Sequence, residues 1–193
     1  HLVDVKRALA WVREHGEDYG ADPGFLVLTG GSAGGHLTAL CALTQNDPMW
    51  QPGFEDADTS VTACVPYYGV YDLNGETGTT AATVREKRLL ARMVMKTRDR
   101  EVFRLASPLS HIGGDAPPFF VVHGRNDTLV PVEEARLFVE RLRAASSNPV
   151  LYLELPGTEH AFDVFPSIRS DHVVRAVGRF CELVRVRLGH GVS

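Results

Sequence analysis

A glycine-rich hexapeptide around Ser32 constrains the fold of this chain more than any other feature. Residues 30–35 read Gly-Gly-Ser-Ala-Gly-Gly, which contains the pattern G-x-S-x-G. The apolar run Phe25–Thr29 comes before it and predicts a buried strand, and the apolar run Leu37–Leu43 comes after it and predicts a buried helix. A serine between a strand and a helix in this pattern predicts a nucleophile elbow, a strained turn that exposes the serine hydroxyl.

The glycines of this hexapeptide have a predicted steric purpose. A Cβ at Gly30 or Gly34, two residues before or after Ser32, is expected to collide with neighbouring backbone, and Gly31 completes the turn. A phosphate-binding loop uses similar geometry, but the lysine of G-x-x-x-x-G-K-[ST] is absent here. The dinucleotide pattern G-x-G-x-x-G is absent in this register as well, so the elbow is the preferred interpretation over a loop that merely closes a strand.

Size and charge narrow the class of protein. At 193 residues the chain is one domain or part of a larger one, and its 44% hydrophobic and 23% charged residues are typical of a globular protein. The sequence has no run of apolar residues long enough for a membrane span and no signal-like start. The net charge is −4 and the basic residues are dispersed, so we expect no nucleic-acid partner.

The three cysteines are predicted to be buried free thiols. Cys41, Cys64 and Cys181 each lie in an apolar stretch, and their odd number gives no disulfide framework. They lack C-x-x-C spacing and adjacent histidines, so no zinc or other metal site is expected. Free thiols favour a reducing compartment such as the cytoplasm, and the sequence leaves the oligomeric state open.

Strand and helix patterns alternate along the chain. A polar stretch, Asn46–Thr59, is predicted as a surface connection, and the segment from about residue 72 to 106 as an insertion. The alternation predicts an α/β fold with a mostly parallel sheet flanked by helices. The remaining predicted elements are an opening helix with Leu2, Val5, Leu9 and Val12 on one face, strands at Val61–Tyr68, Phe119–His123 and Val150–Leu155, and helices at Val84–Lys96, Val132–Ala145 and Val173–Leu188.

A serine hydroxyl needs a base, and His160 is the strongest of eight histidines. It follows the fourth predicted strand, and catalytic groups of a parallel sheet gather at the carboxyl ends of strands. His123 also ends a strand, but its ring nitrogens are expected to fix the turn at Gly124. The others are placed in the elbow helix, in a mid-chain loop or toward solvent: His36, His111, His1, His15, His172 and His190.

The base in turn needs a carboxylate that fixes its tautomer, and Asp127 is the preferred candidate. It lies in a loop after the third predicted strand. A plain turn or helix cap is the alternative role for such an aspartate. Asp72, after the second strand, is the alternative acid, whereas Asp163 is too near His160 in sequence to orient its ring easily.

These motifs resemble the α/β-hydrolases, nearest the hormone-sensitive-lipase-like esterases and carboxylesterases. Three blocks carry the resemblance, namely 30–35, 123–131 and 157–162. It implies that Ser32 is the nucleophile, Asp127 the acid and His160 the base, with the backbone N–H of Ala33 as one oxyanion donor. It further implies a small-molecule ester as substrate and no cofactor.

The chain departs from that family at two places. Many of these esterases have an acidic residue immediately before the serine, where this chain has Gly31. The family's H-G-G-G-type loop, which supplies further oxyanion donors, is absent. The resemblance therefore implies that 1–193 is a partial catalytic domain lacking the N-terminal strands, with a bare sheet edge beside the elbow strand. A longer version is expected to hydrolyse p-nitrophenyl acetate much faster, since one missing donor can cost about 2.7–4 kcal/mol.

The combined expectation is a serine esterase that acts on carboxylic esters of small to medium acyl groups through an acyl-enzyme. The insertion at about 72–106 is expected to shape the substrate pocket. Two alternatives stay open: a prolyl-oligopeptidase-type serine peptidase, which shares this motif order, and a non-catalytic ligand-binding protein on the same fold.

Overall fold

Helices and strands alternate through the structure, a computed structural model that describes residues 1–76, 78, 92–93 and 96–187. Three short 3₁₀ helices, Gly16–Tyr19, Pro48–Trp50 and Pro108–His111, lie in the connections. The described elements, in chain order, are α1 (Leu2–His15), β1 (Val27–Gly31), α2 (Ala33–Leu43), β2 (Ala63–Tyr67), α3 (Arg100–Leu105), β3 (Phe119–Gly124), α4 (Val132–Ala145), β4 (Val150–Leu155) and α5 (Ile168–Arg187).

The four strands form one sheet in the order β1-β2-β3-β4, and all three neighbouring pairs are parallel. Parallel neighbours require crossover connections, which the helices provide. The predicted α/β class with a mostly parallel sheet is confirmed. Because all strands point the same way, the loops after β1, β2, β3 and β4 meet at one edge of the sheet.

Alternate residues of the inner strands face two separate hydrophobic clusters. Cys64, Phe119 and Val121 pack with residues of α1, α2 and α4 on one face of the sheet. Val65 and Phe120 pack on the opposite face against α5, which contributes Val173, Phe180 and Val184. The sheet is therefore covered on both faces, and the expected apolar side of α5 is buried as its spacing indicated.

The elbow strand is shifted two residues from its predicted position. It was expected at Phe25–Thr29 but runs Val27–Gly31, because pairing with β2 continues as far as Gly31 opposite Tyr67. Helix α2 likewise begins at Ala33, four residues before the apolar run that predicted it. The strand therefore delivers its last residue directly to Ser32, and the helix begins directly after it.

Pro66 lies inside β2, although a proline has no N–H for a strand ladder. The N–H of Cys64 donates to the carbonyl of Pro118 at 2.9 Å, and the N–H of Tyr68 donates to that of Val122 at 2.7 Å. Pro66 lies midway between these two donors. The strand is shorter than the predicted Val61–Tyr68, running Ala63–Tyr67.

Strand β1 forms one edge of the described sheet. Its residues are partly buried or exposed, in contrast to β3, where every residue is buried. Within the described residues no strand pairs with the outer side of β1, which agrees with the expected bare edge beside the elbow.

The stretch Asn46–Thr59 is a connection whose residues are mostly exposed, as its polarity predicted, but two of them are buried. Gln51 and Thr59 are fully buried, and Thr59 Oγ1 donates to Gln51 Oε1 at 2.6 Å. Lys6 of α1 is buried with them and donates to Thr59 Oγ1 at 3.2 Å and to the carbonyl of Thr44. Burial lowers the pKa of Lys6 from its ordinary value. These hydrogen bonds give the buried polar side chains of the loop and of Lys6 the partners that they need away from water.

Two further predictions concern the rest of the chain. Most of the predicted helix Val84–Lys96 and much of the predicted insertion lie outside the described residues. The three cysteines are free thiols, as predicted, with Cys41 and Cys64 buried and Cys181 partly buried.

Within the described ranges, none of the helices combines the length and hydropathy that a bilayer-spanning segment needs.

Candidate active site

Ser32 occupies a strained turn between β1 and α2. Its φ of 57° and ψ of −118° are uncommon for a residue with a side chain, and such strain persists only where the surroundings enforce it. Here the Ser32 N–H donates to the Tyr67 carbonyl on β2 at 3.0 Å, and the Ser32 carbonyl accepts from the His36 N–H at 3.0 Å. The turn, residues 30–35, is called the elbow below, and it holds the serine hydroxyl at the sheet edge where the loops meet.

Gly30 and Gly35 permit close backbone packing in the elbow. A Cβ at Gly30 would lie 2.7 Å from backbone atoms of Gly34, as predicted. The same prediction is wrong for Gly34, where a Cβ would have nothing within 4 Å. The second tight position is Gly35, where a Cβ would lie 2.6 Å from the Tyr67 carbonyl oxygen. The helix turns Gly35, and not Gly34, toward the backbone of β2.

Three predicted site residues meet in one chain of hydrogen bonds. His160 Nε2 lies 2.9 Å from Ser32 Oγ, and His160 Nδ1 lies 2.7 Å from Asp127 Oδ2. A carboxylate only accepts, so Nδ1 carries the proton, and Nε2 is free to accept from the serine hydroxyl. The residues lie 33 and 128 positions apart in sequence. Their roles in catalysis stay predictions.

Asp127 is held by its own loop as well as by His160. Its Oδ1 accepts from the N–H groups of Leu129 at 2.9 Å and Val130 at 2.8 Å. Burial alone would raise the pKa of Asp127, but hydrogen bonds from His123, the Val130 N–H and His160 outweigh it and leave the pKa below its ordinary value. The carboxylate is therefore ionised at neutral pH, as a partner for an imidazolium needs to be.

Two loops that pack together bring the acid and the base into contact. The acid loop, residues 124–131, follows β3, and the base loop, residues 156–163, follows β4. The Asn126 N–H donates to the Thr158 carbonyl at 3.0 Å. Gly124 permits this approach, because a Cβ there would lie 2.4 Å from the Thr158 carbonyl oxygen. Gly124 ends β3 as expected, but the loop contact also requires it to be glycine.

His123 fixes the acid loop, as predicted from its position. Its side chain is fully buried, and its Nε2 lies 2.9 Å from the Val130 carbonyl, to which it donates. The same nitrogen lies 3.4 Å from Asp127 Oδ2. His123 and His160 therefore both lie against the same oxygen of the Asp127 carboxylate.

The other candidate acids and bases have other hydrogen-bond partners. Asp72 is buried and accepts from the Gly75 N–H at 2.7 Å, which makes it a turn residue. His36 bonds the Ala106 carbonyl at 2.8 Å and His111 bonds that of Leu105 at 2.7 Å. Burial lowers the pKa of His36. Asp163 is exposed and accepts a hydrogen bond from the hydroxyl of Tyr68.

Ala33 is the first residue of α2, directly after Ser32. The first four N–H groups of a helix have no partner within the helix, so the Ala33 N–H is available to a ligand beside the serine. Among the described residues no group of three or more histidine, cysteine, aspartate or glutamate side chains is arranged to hold a metal ion.

Sequence reasoning did not identify Tyr68, which contacts the site directly. Its ring centroid lies 4.6 Å from that of His160, and the residue is only 4% exposed. A tyrosine after a strand carries no motif, so the only usable signal was its place at the end of β2. As a whole, the arrangement can deprotonate Ser32 through His160, stabilise the resulting imidazolium with Asp127 and offer a backbone N–H to a developing oxyanion.

Comparisons with known proteins agree with this chemistry. Residues 1–142 match the model of the family described as BD-FAE. The chain is 55% identical over 183 residues to the probable carboxylic ester hydrolase LipM of Mycobacterium tuberculosis, which covers 93% of this chain and 42% of LipM. It is 50% identical over 189 residues to the esterase LipQ of the same organism, covering 95% of this chain and 44% of LipQ. The chain thus spans less than half the length of either relative.

Solved structures share the fold. A truncated carbohydrate esterase from gut microbiota superposes with a TM-score of 0.79 at 23% identity, over 96% of this chain and 68% of that one. Esterase 2 of Thermogutta terrifontis, phosphoramylated by tabun, superposes with a TM-score of 0.76 at 27% identity, over 97% of this chain and 64% of that one. The sheet and its flanking helices are those of α/β-hydrolase esterases.

Proposed function

The chain belongs to the BD-FAE family, and from that premise we propose that it carries the site of a serine esterase. Its substrates are carboxylic esters with small to medium acyl groups. Ser32 is the nucleophile, His160 the base and Asp127 the acid. The observation that carries the proposal is the unbroken chain of hydrogen bonds from Ser32 Oγ through His160 to Asp127.

Acylation begins when His160 Nε2 takes the proton of the Ser32 hydroxyl as Oγ attacks the ester carbonyl carbon. The tetrahedral intermediate collapses when the carbon–oxygen bond to the alcohol breaks, and His160 returns the proton to the departing alcohol oxygen. The acyl group is then an ester of Ser32. Water attacks this ester with His160 again as base, and the acid leaves while the proton returns to Ser32 Oγ.

Asp127 has a supporting part in both steps. It keeps the proton on His160 Nδ1, so that Nε2 is the basic nitrogen, and its negative charge stabilises the imidazolium. The low pKa of Asp127 keeps it ionised while His160 carries a second proton. The Ala33 N–H supplies one hydrogen bond to the oxyanion, since it opens α2 beside the nucleophile.

The comparisons support an ester substrate. Two relatives that cover more than nine tenths of this chain are named as a carboxylic ester hydrolase and an esterase. We further propose that residues 1–193 form part of an α/β-hydrolase catalytic domain, with residues from about 72 to 106 as an insertion near the pocket.

Covalent labelling tests the proposal most directly. A fluorophosphonate probe should label the chain once, and Ser32→Ala should abolish the label, because organophosphorus reagents mimic the tetrahedral intermediate on the serine. Substrate class is tested by comparing p-nitrophenyl butyrate with a dipeptidyl amide. Faster turnover of the amide would point to a peptidase, and a chain that is neither labelled nor active on either substrate would contradict the proposal.

A further inference from the structure

Tyr68 packs against the base of the proposed site and is almost completely buried. Its ring centroid lies 4.6 Å from that of His160, with the planes at 60°. The ring of Phe162, two residues after His160, meets Tyr68 edge to face at 5.7 Å. The tyrosine ring thus contacts two rings of the base loop, those of His160 and Phe162.

The hydroxyl of Tyr68 ties down the same loop. It donates to Oδ1 of Asp163, three residues beyond His160. Burial, followed by this carboxylate, raises the pKa of Tyr68 above its ordinary value, so the hydroxyl keeps its proton and remains a donor. Asp163 is too close in sequence to orient His160 itself. It holds the hydroxyl of Tyr68, whose ring packs against the imidazole.

Tyr68 and the base loop that it contacts each include a residue with a strained backbone conformation. Tyr68 has a φ of 35° and Ala161, between His160 and Phe162, has a φ of 54°. Positive φ is costly for residues with a side chain and is maintained only by surrounding contacts. The Tyr68 N–H provides one such contact by donating to the Val122 carbonyl at 2.7 Å, which fixes the tyrosine to β3.

The space that Tyr68 occupies explains the glycine before the nucleophile. A Cβ at Gly31 would lie 2.7 Å from Tyr68 Oη and 3.0 Å from Cε2 and Cζ. A Cβ at position 31 would therefore require the end of this tyrosine ring to shift. The glycine that stands where many of these esterases have an acidic residue therefore leaves room for Tyr68.

We propose that Tyr68 is a positioning residue for His160, anchored by Asp163 and accommodated by Gly31. The inference rests on the proposed function. The tyrosine ring limits rotation of the imidazole, and the hydrogen bond to Asp163 holds the base loop, so that Nε2 stays directed at Ser32 Oγ. Such preorganisation acts on the chemical step more than on substrate binding.

The test compares variants that keep or remove the hydrogen bond. Tyr68→Phe and Asp163→Ala remove it, Asp163→Asn keeps an acceptor oxygen, and Tyr67→Phe removes a neighbouring hydroxyl as the matched control. We expect Tyr68→Phe and Asp163→Ala each to slow fluorophosphonate labelling and lower kcat by roughly 10- to 100-fold with KM little changed. Asp163→Asn should retain most activity, and the double variant Tyr68→Phe/Asp163→Ala should lose no more than either single variant.

The outcomes separate this inference from the function on which it rests. A wild-type chain that is not labelled contradicts both. A labelled wild type in which Tyr68→Phe reacts at the same rate overturns the inference alone. Additive losses in the double variant, equal losses in Tyr67→Phe, or a loss accompanied by a matching fall in melting temperature would also overturn it, because each would indicate general destabilisation.

Discussion

The elbow and the pair formed by the acid and base loops reach the same point by different means. The elbow spans six consecutive residues, and its shape depends on close backbone packing at Gly30 and, against Tyr67 of β2, at Gly35. The two loops lie about 30 residues apart, and hydrogen bonds join them, among them His160 to Asp127 at 2.7 Å and Asn126 to Thr158 at 3.0 Å. Close backbone packing and backbone hydrogen bonds shape the elbow, whereas a side-chain hydrogen bond joins the acid to the base.

The difference indicates how each region should respond to mutation. A Cβ added at Gly30 or Gly35 of the elbow meets backbone that cannot move aside, so the damage should appear as lost stability. Altering a polar group in the two loops should leave the packed sheet intact but misdirect His160, so the damage should appear in kcat. Four predictions test this contrast.

The largest expected effect comes from Asp127→Asn. The amide can donate to His160 Nδ1 and so favours the tautomer whose Nε2 carries a proton and cannot act as base, which should lower kcat by roughly 10⁴-fold. Steady-state kinetics with p-nitrophenyl butyrate measures this. Asp18→Asn, the same substitution at an exposed aspartate outside the two loops, is the control and should have little effect. Equal losses in both variants would contradict the assigned role of Asp127.

Gly35→Ala should mainly destabilise the fold. Its Cβ would lie 2.6 Å from the Tyr67 carbonyl oxygen and 3.0 Å from Cα of Gly69. We expect a loss of about 1–3 kcal/mol in the free energy of unfolding. Urea denaturation followed by circular dichroism checks it, and an unchanged midpoint would show that the elbow is looser than its contacts indicate.

Lowering the pH should destabilise the acid loop before it destabilises the elbow. The pKa of Asp127 is lowered in the folded chain, so its ionised form contributes stability above an unfolded pKa of about 3.9. That contribution is lost as the pH falls through the folded-state pKa. The difference in unfolding free energy between wild type and Asp127→Asn should therefore shrink from pH 6 to pH 3. A constant difference would argue against the lowered pKa.

Gly34→Ala should give the smallest effect, with the opposite sign from its neighbour Gly35. A Cβ at Gly34 has nothing within 4 Å, and the residue is helical. Alanine costs less conformational entropy there, so the free energy of unfolding should rise by about 0.5–1 kcal/mol. The same urea titrations measure it, and a destabilised variant would restore the original steric expectation for this position.

Sequence reasoning succeeded where a pattern is local. The parallel α/β class followed from alternating strands and helices, and α4 and β4 were predicted at the bounds they have. It failed where the partner of a residue is distant. The polar sequence of the surface connection Asn46–Thr59 did not reveal that Gln51 and Thr59 are buried with Lys6. Gly34 was given the crowding that belongs to Gly35, because the rotation of α2 against β2 is a tertiary property.

By itself, the sequence determined the fold class, the strand-turn-helix around Ser32 and the choice of Asp127 and His160 as candidates, because periodicity, glycine and strand-end position are local properties. Only the tertiary structure decided the distances among those three side chains and the place of Tyr68 between Gly31, His160 and Asp163. The physical reason is that residues up to 128 positions apart become neighbours only through parallel strand pairing and loop packing.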